Sequence, residues 1–123
     1  DNPAGNNRIK EQLTGNMANV VANEIVSSVS NGLISQMNRS MSQIEATFAS
    51  DKNQAILAAE RMSLYASIFL PDLELRLGSL QRVKMENVLQ DLKEASGTGN
   101  ASKAVAARSV IVEVISAYRD ELI

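Results

Sequence analysis

The chain has 123 residues, of which 45% are hydrophobic and 21% charged, and its formal net charge is -2. This composition is that of a globular protein, and the length suits one domain. The absence of cysteine and histidine excludes disulfides, thiol chemistry and the Glu-x-x-His pairs of di-iron bundles. The charge balance gives no electrostatic reason to expect nucleic acid, whose phosphates are neutralised by clustered Lys and Arg.

The start of the chain predicts a short flexible segment. Residues 1–7 contain Pro3, Gly5 and three asparagines, which are typical of a frayed terminus, and residues 8–123 are expected to form one helical domain. The first residue is Asp1, which fits a processed form, an excised domain or tag residues. No run approaches the ~18 apolar residues that a membrane span requires, and no compartment is indicated.

The first predicted helix, about residues 8–49, carries apolar residues at steps of three and four. These residues are Leu13, Met17, Val21, Ile25, Val29, Leu33, Met37, Met41, Ile44 and Phe48. Such spacing predicts one apolar face that packs in a helix–helix seam, with Leu33 and Met37 at its middle.

This helix has few charges and weak intrinsic helix propensity. Glu24 is the only charged residue between Gln12 and Asn38, and the polar residues around it are Asn, Ser, Thr and Gln. Gly15 and Gly32 each cost about 1 kcal/mol relative to Ala inside a helix. Packing on more than one side must therefore hold a long straight helix. The alternative is a helix that bends at Gly32 and wraps on its own bundle.

Small residues on the first helix predict self-association. Gly15, Ala18, Ala22 and Gly32 would let two helix backbones approach closely, either between copies or within one chain. Glu24 lies beside them, where it either pairs with an arginine of another helix or reaches water.

The second helix is predicted over about residues 52–70. Asp51, followed three residues later by Gln54, has the form of a capping box. Pro71 cannot donate to the carbonyl of Ser67, so the sequence predicts a kink there, with a third helix over about 72–95.

The residues before Pro71 form the densest apolar patch that includes aromatic side chains. Tyr65, Ile68, Phe69 and Leu70 predict either a docking surface for a partner protein or membrane surface, or a bend that fills the core.

The fourth helix is predicted over about residues 101–122, after a loop at 96–100 in which Asn100 serves as N-cap. The loop and helix start contain Gly, Lys and Ser, but their order is not that of a phosphate-binding loop and no strand precedes them. We therefore expect a connection between helices.

The carboxylates of the last two helices do not predict a catalytic or metal site. Cations are interleaved with those of the third helix, which indicates solvated faces, and the central glycine and ligand run of a calcium loop are missing. The carboxylates considered are Glu86, Asp91, Glu94, Glu113, Asp120 and Glu121. No catalytic residue, cofactor or metal is predicted.

These elements predict an all-α protein, an elongated up-down bundle of three to four helices kinked at Pro71. The function expected from them is a non-enzymatic protein–protein interaction module that forms homo-oligomers. It would be an assembly component, an adaptor or an exported protein of a secretion- or conjugation-type apparatus. The alternatives are a nucleic-acid-associated helical oligomer and, from a third class, an enzyme or ligand sensor.

Overall fold

The protein is an all-α up-down bundle of four helices. The computed structural model describes residues 3–122, with side chains from residue 20 onward. The helices are α1 (Pro3–Thr47), α2 (Lys52–Leu77), α3 (Ser79–Thr98) and α4 (Ala101–Glu121). Each packs against the next in the chain, and α2 also contacts α4. The predicted fold class is confirmed.

None of the helices, over the residues described, is long and apolar enough to cross a membrane.

Helix α1 is 45 residues long and passes through Gly32 without interruption. It begins at Pro3, five residues before the predicted start, in agreement with the tolerance of proline at the first helical position. A Cβ added at Gly32 would meet nothing within 4 Å, so the glycine is not required by crowding. Residues 1–2 of the predicted flexible segment lie outside the described residues.

The predicted apolar stripe of α1 does not lie in one seam. Met37 is fully buried and Leu33 half-buried, but Val21, Ile25 and Val29 are 51–59% exposed. Each step of four residues advances about 40° beyond a full helical turn, so successive steps of four wind around the helix. The face that is buried instead includes Ser27, Ser30, Ile34, Met37, Ser40, Met41 and Ile44.

The core is built around small residues of α2. Ala58, Ala59 and Ala66 are at most 1% exposed, which lets the neighbouring helices approach α2 closely. The one pair of stacked rings joins Phe69 of α2 to Tyr118 of α4, with centroids 5.2 Å apart, among the residues described. The rest of the core consists of Ala, Leu, Ile, Val and Met side chains with few aromatic rings to fill space. The helices must therefore pack closely to leave no cavities.

The predicted helix boundary at Pro71 is wrong: α2 continues through Pro71 to Leu77. Pro71 and Ser67 are both exposed, so water can hydrate the Ser67 carbonyl that lacks its N–H partner. The chain breaks at Gly78 instead, where φ is 98° and ψ is 165°, a conformation that is essentially restricted to glycine. The Gly78 amide donates to the Glu74 carbonyl and completes the last turn.

The predicted N-caps Asp51 and Asn100 are confirmed, but the reciprocal bond of the predicted capping box is not formed, because the Asp51 amide donates to the Thr47 carbonyl. The Asp51 carboxylate accepts from the amide of Gln54, and the Asn100 side chain accepts from the amide of Lys103. Each side chain therefore satisfies a backbone donor that has no partner within its helix.

Gly78→Ala is expected to lower the free energy of unfolding by about 1–3 kcal/mol, because a Cβ at this φ and ψ strains the backbone. Gly97→Ala is the control, because Gly97 is helical and an added Cβ would meet only Ile56 at 3.9 Å. The control should be neutral or slightly stabilising. Denaturant unfolding measures both, and equal losses would contradict the assignment of the break.

Met37→Ala is expected to cost about 2–5 kcal/mol, because the side chain is fully buried and its removal leaves a cavity. Val112→Ala, at a position 51% exposed, should change stability by less than about 0.5 kcal/mol. Thermal or denaturant unfolding measures the difference. A small loss for Met37→Ala would show that the register of α1 is wrong.

Candidate interaction surfaces

A partly buried polar cluster joins three helices at one end of the bundle. The Tyr118 hydroxyl of α4 donates to Asp72 Oδ2 of α2 over 2.6 Å, and Ser30 Oγ of α1 lies 2.8 Å from the same hydroxyl. Because a carboxylate only accepts, Tyr118 gives its single proton to Asp72 and Ser30 donates to Tyr118. Arg76 Nε donates to Asp72 Oδ2 over 2.8 Å and holds that carboxylate.

The cluster also fixes the end of α4. Arg76 extends a second donor to the carbonyl of Glu121 over 2.8 Å, in the last turn of that helix. Burial raises the pKa of the Tyr118 hydroxyl to about 12, and the hydrogen bond to Asp72 acts in the same direction. A fully buried tyrosine with both of these hydrogen bonds holds three helices together.

A small apolar cleft lies between α1, α3 and α4 at the other end of the bundle. Its volume is about 220 Å³, and Met41, Phe48, Leu92 and Ala104 are among the residues that line it. The ion pair between Glu45 of α1 and Arg108 of α4 also borders it. The cleft has the chemistry to receive a small apolar group.

The predicted docking patch before Pro71 is divided by the fold. Phe69 and Leu70 are 2% and 6% exposed and belong to the core, so the core-filling alternative holds for them. Tyr65 is half-buried against the core, whereas Ile68 is 58% exposed. Consecutive helical residues are about 100° apart, so four closely spaced residues cannot share one outward face.

The predicted self-association residues lie on α1. Ala22, Glu24 and Gly32 are exposed. Gly15 and Ala18 precede residue 20, outside the part of the chain whose burial the structure describes. Val21, Ile25 and Val29 are exposed beside Ala22 and Gly32, and together they form an apolar face next to Glu24. We name Val21, Ala22, Ile25, Val29 and Gly32 the α1 face.

A second apolar row on the outside of α2 was missed from the sequence. Leu57, Leu64, Ile68 and Leu75 are 44%, 62%, 58% and 84% exposed. In the sequence these four residues are separated by seven, four and seven residues, which is a helical spacing. The predicted break at Pro71 hid this pattern because it divided the row between two helices. We name these four residues the α2 row.

Six of the ten cations within residues 20–122 form ion pairs with carboxylates. The six that form ion pairs with carboxylates are Arg76, Arg82, Lys84, Lys93, Lys103 and Arg108. Arg82 bridges the α2–α3 break by contacting Glu74 and Glu86, and these contacts raise the pKa of its guanidinium. Within the same residues, acidic side chains form no cluster that would hold a metal ion.

Comparison of the chain with protein-family models, with curated proteins and with solved structures finds no match.

Stability should fall between about pH 10 and pH 12 as the Tyr118 hydroxyl titrates. The unfolded chain releases this proton near pH 10 and the folded chain near pH 12, so the stabilisation present below pH 10 is lost across that window. In Tyr65→Phe, Tyr118 is the only tyrosine and its absorbance should titrate near pH 12. Tyr118→Phe should lose about 1–3 kcal/mol at neutral pH and lack this alkaline dependence. A midpoint near pH 10 in Tyr65→Phe would contradict the burial.

Proposed function

We propose that this protein is a non-enzymatic interaction module that self-associates through the α1 face and serves as a component of an assembly. The observation that carries the proposal is the exposure of Val21, Ile25 and Val29 on a helix longer than the bundle beside it. Composition adds support for an exported assembly component, because the chain has no Cys or Trp and only four aromatic residues.

Helix α1 exceeds its neighbours in length. Its 45 residues extend over about 67 Å, whereas the 26 residues of α2 extend over about 39 Å. Every residue from Val20 to Ile25 is exposed, and the first buried residue described is Ser27. The antiparallel neighbours therefore leave the turns from Val20 to Ile25 without cover.

An uncovered helix of this composition needs a packing partner. Asparagine, serine and glycine lower helix propensity, and the segment from Gln12 to Asn38 has only Glu24 as a charged residue. Solvated helices are usually supported by ion pairs between residues four apart, and such pairs are not possible in this segment. Packing of the α1 face against the α1 face of a second copy supplies the missing stabilisation.

The α1 face also has a shape suited to close pairing. Ala22 and Gly32 provide little side-chain bulk beside the branched side chains of Val21, Ile25 and Val29. Branched and small side chains on one face allow two helices to interdigitate. Glu24 has no ion pair among residues 20–122 and would lie at the polar border of the contact.

Ile25→Glu is expected to lower the molecular mass of the assembled protein in solution without loss of helicity. The added charge would be buried in the contact between copies without a partner, and this favours dissociation. Ala22→Glu should have the same effect. Val112→Glu is the matched control, since Val112 is 51% exposed on α4 and outside the α1 face. Sedimentation over a concentration series measures the mass, and circular dichroism measures the helicity.

The proposal fails if the unaltered protein sediments as a monomer at high micromolar concentration. It also fails if Ile25→Glu and Val112→Glu change the mass equally, since the loss would then follow the added charge and not the α1 face.

A further inference from the structure

We infer that the α2 row is a second self-association surface, on which α2 of one copy lies antiparallel to α2 of another. This contact uses a different helix from the α1 face and does not depend on the α1 pairing.

The α2 row is narrow and long. Leu57 and Leu75 are 18 residues apart, which is five helical turns and about 27 Å. Leu64 and Ile68 lie within about 20° of the line that joins them. The row faces away from the buried side of α2, where Ala58, Met62 and Ala66 contact the rest of the bundle. It is thus an apolar strip that the chain's own fold leaves open.

The spacing of the α2 row is that of a helix–helix seam. With Arg61 and Pro71 between them, the six positions follow one another at steps of four, three, four, three and four residues. This alternation keeps side chains on one face of two paired helices. Four of the six positions hold large aliphatic side chains that are at least 44% exposed.

The spacing reads the same in both directions, which identifies the partner as a second copy. A twofold axis between Leu64 and Ile68 places Leu64 level with Ile68 of the other copy. The same axis places Leu57 level with Leu75 of the other copy. Every aliphatic residue of the row then meets an aliphatic residue, as an isologous contact requires.

Charge determines the direction of the pairing. In a parallel, in-register pair, Arg61 would face Arg61 of the other copy inside the seam. In the antiparallel pair, Arg61 is level with Pro71 of the other copy, and the two arginines are about 15 Å apart along the axis. Arg61 has no ion pair within residues 20–122. Asp72 follows Pro71, and its side chain is 22% exposed. Arg61 of one copy can therefore approach Asp72 of the other copy.

Two isologous surfaces on one chain would join copies into a larger assembly than either surface alone. A copy bound through both the α1 face and the α2 row has two neighbours, so removal of one surface leaves dimers and removal of both leaves monomers.

Single cysteines test the register, because the chain contains no cysteine of its own. Under mild oxidation, a mixture of Leu57→Cys and Leu75→Cys should give a disulfide dimer that contains one of each. Either variant alone should give little dimer, because its cysteines would be about 27 Å apart along the pair. Efficient dimer from Leu57→Cys alone, or none from the mixture, would overturn the antiparallel pairing.

Leu64→Glu tests the surface by mass and separates the two proposals. In the Ile25→Glu background, Leu64→Glu should reduce a dimer to a monomer, a twofold fall, whereas Val112→Glu should not. If Leu64→Glu lowers the mass and Ile25→Glu does not, the α2 row stands and the α1 proposal fails. If Leu64→Glu leaves the mass unchanged in this background while circular dichroism shows an intact fold, the α2 row is overturned.

Discussion

The hydrogen bond from Tyr118 to Asp72 fixes where α4 closes against α2, and the positions of the other helices are linked to it. It brings α4, which otherwise packs mainly on α3, into contact with α2, and Ser30 extends the same contact to α1. Stacking of Tyr118 on Phe69 adds apolar contact to the same position. A buried hydroxyl is stabilising only where hydrogen-bond partners satisfy it. Because these bonds are directional, the cluster fixes the relative positions of the three helices, which apolar packing alone does not do.

Helix α2 has two apolar sides, and the outer one is the surface inferred to pair with a second copy. Alanines on its inner side admit the neighbouring helices closely, while the α2 row lies on its outer side. Soluble monomers seldom expose an extended apolar strip without a use for it. The continuation of α2 through Pro71 makes the strip possible, because a break at the proline would have separated Ile68 from Leu75.

Helix α1 also changes role along its length. From Ser27 onward one face is buried in the bundle, but the preceding turns carry their exposed apolar residues on another side. The proposed assembly follows from this division. The core-facing part holds the fold of one chain, and the uncovered part is available to a second.

The sequence by itself determined the helical class, the caps at Asp51 and Asn100 and the burial of Met37, because these follow from local spacing and backbone donors. It misplaced the break at Pro71 and left open which side of each helix is covered. Only the tertiary structure decided these points, since hydration of the Ser67 carbonyl and the covering of each face depend on neighbouring helices. The α2 row could be recognised only when α2 was seen to be one helix, and Tyr118 acquired its partners only when residues 88 positions apart met.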